Sequence, residues 1–113
     1  MRFAQTLFLL AFLPASAFSQ ETNIECKDLA GVGRSVMMVR QSGVPIEKTT
    51  SLILNGLKEK SPEDQKILDP VYKKIVELAY KENQFSTNSE RIEITNKFAR
   101  QIFERCARRL PKS

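Results

Sequence analysis

Ile24–Gln41, IECKDLAGVGRSVMMVRQ, is the stretch on which the fold turns. Cys26, Leu29, Ala30, Gly33, Met37 and Arg40 recur at steps of three and four residues, and Val32, Val36 and Val39 widen the same stripe. That spacing follows the helical period of about 3.6 residues, so the segment reads as an amphipathic helix with Cys26 on its buried face.

The only other cysteine, Cys106, lies near the far end of the chain. Thr87-Asn88-Ser89-Glu90 fits a capping box, Thr87 reaching the N–H three residues on and Glu90 reaching back. The helix it opens carries Ile92, Thr95, Ala99, Ile102, Phe103, Cys106 and Leu110 on one side, so Cys106 also faces inward. Two inward cysteines on the first and last helices meet if those helices pack side by side. A bridge between them closes a loop of about 80 residues, which loop-closure entropy values at about 4–5 kcal/mol. Two free structural thiols are the alternative.

Between these helices, Ser42-Gly43 ends the first and Val44-Pro45 restarts the chain, Pro45 suiting the first turn of a second helix to about Leu57. Its inward candidates are Ile46, Leu52, Ile53 and Leu57, and the turn signal Asn55-Gly56 favours an end one turn earlier. Ser61 reads as an N-cap, with Pro62 next and Glu63 and Asp64 in the positive first turn. A residue before proline is pushed out of the α region, so Asp69-Pro70 predicts a break: a short helix to about Leu68, then a new start capped by Asp69. Val71, Ile75, Leu78 and Ala79 then form an inward stripe beside Tyr72 and Val76, ending near Lys81 to Asn83. The expectation is an all-α protein, a small bundle of four to five helices in a single domain over residues 20–113, tied by one disulfide between first and last helices.

Residues 1–19 read as a cleaved secretory signal peptide: Arg2 starts it, Leu7 to Leu13 is a short apolar run, and Ala15-Ser16-Ala17-Phe18-Ser19 a small-residue exit. The new N-terminus is Gln20 on the preferred cleavage or Phe18 on the other. The run falls below the ~18–20 residues that cross a bilayer, so no transmembrane segment is expected in the mature form. Export supports the disulfide, because bridges persist outside the cytosol.

The chain has no histidine. That removes the commonest general base, the Ser-His and Cys-His nucleophile arrangements and the commonest metal ligand. Gly31-Val32-Gly33 lies within a helical pattern rather than after a strand, so it reads as close helix–helix approach and not a phosphate loop. Glu63, Asp64 and Asp69 fall where helix caps are expected rather than as an acid–base pair. The reading is a non-enzyme with no cofactor and no metal.

Charge is unevenly placed: residues 20–90 carry ten Lys/Arg against eleven Asp/Glu, residues 91–113 seven against two. Arg105, Arg108, Arg109 and Lys112 recur at i, i+3, i+4 and i+7 and line one face of the last helix, with Lys97 and Arg100 upstream. They either complement the helix dipole or dock an acidic partner such as an envelope protein, a lipid head group or a wall polymer. Nucleic acid is not expected, since no recognition module surrounds the patch. Arg40 either serves its helix C-terminus or pairs with that partner. Phe85, in a polar loop, either tucks back or stands out as a binding anchor. Met37, Met38, Phe98 and Phe103 read as core and near-core packing.

Cys26 and Ala30 one turn apart, Arg40-Gln41-x-Gly43-Val44, Ala79-Tyr80, and Phe98 with Cys106 on the last helix together resemble a group of small exported proteins of bacterial and prophage genomes. The pattern covers most of residues 20–113. It departs from the group in the extra length of Lys58 to Asp69 and in the lack of a proline soon after Ala79-Tyr80. The resemblance implies an all-helical fold and a bacterial envelope setting, and brings no established activity. The functional expectation is a periplasmic or secreted binding or inhibitory protein, occluding a partner through its last helix and an adjacent loop. Prophage association, on the resemblance alone, suits inhibition of a wall-degrading enzyme or exclusion of a competing phage. A small periplasmic stress chaperone is the alternative.

Overall fold

Glu25, in extended conformation, is the N-cap of the first helix, with no side-chain cap hydrogen bond. The computed structural model describes residues 24–109, which form four helices and no strand: α1 (Cys26–Gln41), α2 (Ile46–Leu57), α3 (Pro62–Tyr80) and α4 (Asn88–Arg109). The expected signal peptide, Leu110 and Lys112 lie outside the described residues. α1 is the hub. It packs along α4 most extensively, then on α3, and least on α2, which lies chiefly against α3.

The core is the meeting of these faces: Leu29, Val36 and Met37 from α1, Leu57 from α2, Leu68, Ile75, Val76 and Ala79 from α3, and Ile94, Phe98 and Ile102 from α4. Cys26 and Cys106 are bonded, their Cα atoms 5.5 Å apart, so the disulfide links the first and last helices. Gly33 permits the close approach of α1 and α4. A Cβ there would lie 2.9 Å from Ile102 Cγ1 and 3.5 Å from the Phe98 ring, whereas one on Gly31 would meet nothing within 4 Å.

Three expectations need correction. First, Asp69-Pro70 does not break the chain into two helices; α3 runs unbroken through Pro70, so the bundle has four helices rather than five. Pro inside a helix costs about 3 kcal/mol. Burial of Leu68 before it and of Ile75 and Val76 after it returns about 1.5–3 kcal/mol each and holds both halves on one axis. Asp69, instead of capping, pairs with Lys73 at 2.9 Å one turn on. Second, α2 buries Thr49 and Leu57, while Ile46 and Leu52 are exposed; it also continues past Asn55-Gly56. Third, Met38, on the outer side of α1, and Ile92 and Phe103, at the edge of the α4 stripe, remain exposed, 56%, 61% and 44%, rather than packing in or near the core.

The caps follow their local chemistry. Ser61 Oγ accepts the Asp64 N–H at 3.2 Å, and Thr87 Oγ1 accepts the Glu90 N–H at 3.2 Å. The Glu90 carboxylate takes the Thr87 hydroxyl at 2.9 Å rather than the backbone N–H of a full capping box.

Candidate partner-binding surface

The motifs around residues 40–44 and 79–85 converge on one junction at the C-terminal end of α1. Gly43 turns the chain with φ 87°, a conformation that favours glycine. Gln41, only 3% exposed, faces the α3–α4 loop: its Nε2 donates to the Asn83 carbonyl at 2.8 Å and its Oε1 accepts the Phe85 N–H at 2.7 Å. Arg40 donates from Nε and Nη2 to the Glu82 carbonyl, at 3.2 and 3.0 Å, and its guanidinium lies 5.1 Å from the Tyr80 ring centre. Tyr80 donates its one phenolic proton to the Val44 carbonyl at 2.6 Å. The Thr49 hydroxyl, also 2.6 Å from the phenol oxygen, therefore acts as donor in that contact.

This junction employs two of the residues considered for partner binding. Arg40 is spent on a backbone carbonyl and an aromatic face. Phe85 is half-buried against the core, the tucked arrangement, and its carbonyl accepts from Arg91 Nε at 2.8 Å. Both side chains serve to hold the α3–α4 loop onto the α1–α2 turn.

The cationic residues of α4 are divided by the packing. Arg105 borders a depression of about 110 Å³ on the α3 side of the helix, with Leu78, Lys81, Glu82 and Phe98. Arg108 and Arg109 are exposed in the last turn, where positive charge complements the helix dipole. Arg100 lies on the opposite flank, in an open groove of about 590 Å³ between α1 and α4 with Ala30, Arg34, Asn96, Ala99 and Phe103. Arg34 Nη1 donates to Asn96 Oδ1 across it. Among the described residues the ion pairs are Lys27–Glu25, Lys73–Asp69 and Lys74–Glu77, none of which engages an α4 cation.

Known proteins add nothing to this geometry. Comparison with protein families, curated proteins and solved structures finds no match.

Among the described residues no three His, Cys, Asp or Glu side chains gather to hold a metal ion, and no helix is long and apolar enough to cross a membrane. Among the described residues, the two groups with displaced titration lie elsewhere. Burial, aided by Asp28, pushes the Tyr72 phenol up, and the hydrogen bond from Lys74 holds the Glu77 carboxyl down. Sequence reasoning passed over the groove because Arg34 and Asn96 become neighbours only when α1 and α4 pair.

Proposed function

We propose that this chain is an exported, non-catalytic binding protein that docks an acidic partner of the bacterial envelope through α4, in an inhibitory role. The observation that carries the reading is the exposure of Arg105, Arg108 and Arg109 on the last turns of α4, outside every ion pair among the described residues. The Cys26–Cys106 disulfide supports an oxidising destination, periplasmic or secreted, with residues 1–19 removed on the way. The non-catalytic reading is supported by where polar candidates lie: Ser61 and Glu63 and Asp64 open α3, and Asp69 is paired with Lys73.

The test is affinity capture from envelope extract with the native mature protein beside an R105E/R108E/R109E variant. One stoichiometric partner held by the native form and lost by the variant is the expected result. Many partners held equally by both would replace this reading with the stress-chaperone one, which draws on the exposed apolar side chains Met38, Leu52 and Ile92.

A further inference from the structure

We infer that the α1/α4 groove around Phe103 receives a helix of a protein partner, one apolar side chain entering beside Ala30 and Ala99 while flanking carboxylates meet Arg34 and Arg100. The inference rests on the reading of this chain as a binding protein, and it fixes the class of partner and a place of contact separate from the Arg105–Arg109 end. Two antiparallel helices held close by the disulfide and by Gly33 leave a trough parallel to their axes, the natural seat of a third helix. The buried Ala99 and the half-buried Ala30 are small and leave the floor low, and Phe103, a large aromatic side chain, stands 44% exposed at the edge. Aromatic and arginine side chains are the residue types that anchor interfaces.

The charge pattern selects among occupants. Arg34 and Arg100 line the groove together with one acid, Glu104. A uniformly anionic bilayer would be pressed against Glu104, whereas a protein sets carboxylates opposite the guanidiniums and a donor opposite Glu104. A second copy of this chain, docked about a two-fold axis, would set two arginines and one carboxylate against the same set, leaving the paired grooves with a net positive charge. The groove is too open to bury most of a small ligand's surface, as a small-molecule site does.

The probe is a leucine-striped, glutamate-flanked peptide of about 18 residues, long enough to hold a helix. Its controls are the same peptide with every glutamate replaced by lysine, and phosphatidylglycerol vesicles. Binding to the mature, disulfide-intact protein is followed by anisotropy and by backbone amide shifts. The expected result is binding of the acidic peptide with shifts centred on residues 30–34 and 96–104. Phe103→Ala and Arg100→Glu each weaken it by about tenfold or more, while Lys66→Glu, a charge reversal on the exposed side of α3 away from both surfaces, leaves it within about twofold of native. Unchanged circular dichroism and an intact disulfide show that these surface variants fold. Loss on the R105E/R108E/R109E variant with indifference to Phe103→Ala overturns the groove assignment and leaves the proposed function standing. Equal binding of the lysine peptide, a preference for vesicles, or no binding overturns it as well.

Discussion

The Gln41 carboxamide is bonded at both ends, its Oε1 to the Phe85 N–H at 2.7 Å and its Nε2 to the Asn83 carbonyl at 2.8 Å, so one buried side chain from α1 fixes the loop that starts α4. Replacing it with an apolar residue takes the side-chain partner from the Phe85 N–H and the Asn83 carbonyl, both in part-buried hydrogen bonds. Gln41→Leu is expected to cost about 1–2 kcal/mol, since two part-buried hydrogen bonds are lost and the released groups are only partly rehydrated. Urea unfolding measures it, and a loss below about 0.5 kcal/mol would show that the loop is held by something else.

Gly33 and Gly31 lie two residues apart in α1 and predict opposite signs. At Gly33 an added methyl would sit 2.9 Å from Ile102 Cγ1, and Ile102 is buried with little room to move. Gly33→Ala should therefore destabilise by about 1–3 kcal/mol through overpacking. At Gly31 nothing lies within 4 Å, so Gly31→Ala should gain about 0.5–1 kcal/mol of helix propensity. Thermal melts of the pair decide the matter; equal shifts would contradict the close approach of α1 and α4.

These two positions also show what the residues disclose on their own. Periodicity locates α1 and α4, and caps at Ser61 and Thr87 locate helix starts, because each depends on neighbours within a turn or two, while the bridge, 80 positions long, is legible because the sequence holds a single pair of cysteines. Thr49, 1% exposed, escapes a search for apolar residues, since its hydroxyl is satisfied by Tyr80, 31 positions away. Phe103 and Ile92 fall at the edge of a stripe whose margin is set by where α1 lies. For the same reason the run Arg105, Arg108 and Arg109 is legible along α4, whereas the grouping of Arg100 with Arg34 exists only after the helices pair.

Pro70 offers a gain in stability. It is exposed inside α3, where it removes one backbone hydrogen bond and crowds the preceding turn. Pro70→Ala should raise stability by about 1–3 kcal/mol, the upper figure being the interior penalty and the lower allowing for the stiffer unfolded chain that proline gives. A lower melting temperature for Pro70→Ala would mean that the proline shapes α3 to fit its neighbours.

Tyr72 predicts a pH dependence. Burial, with Asp28 nearby, raises its pKa in the folded protein above the ordinary value of about 10. A phenol that is harder to ionise when folded contributes stability that is fully present below the unfolded pKa. That stability declines as pH rises toward the folded pKa, because the unfolded chain gives up the proton first. Stability should thus fall from about pH 10 upward, and Tyr72→Phe should flatten that limb while leaving neutral-pH stability nearly unchanged. Urea midpoints across alkaline pH supply the check; an identical slope in both proteins would remove Tyr72 from the account.

The Cys26–Cys106 bridge carries the largest expected effect. It closes a loop spanning a sequence separation of 80, and constraint of the unfolded chain alone is worth about 4–5 kcal/mol. Small domains are stable by only about 5–15 kcal/mol, so reduction should bring this one near its unfolding midpoint under mild conditions. A Cys26→Ala/Cys106→Ala variant should show the same drop in urea midpoint. Within the surviving folded population, amide exchange should rise first in the last turns of α4, where the bridge is the tie to α1, and later at the Gln41–Phe85 junction, which keeps its own hydrogen bonds. Uniform loss of protection along α4 would show instead that the helix pair opens as one unit. The α1/α4 groove would then depend on the disulfide for its existence as well as for its stability.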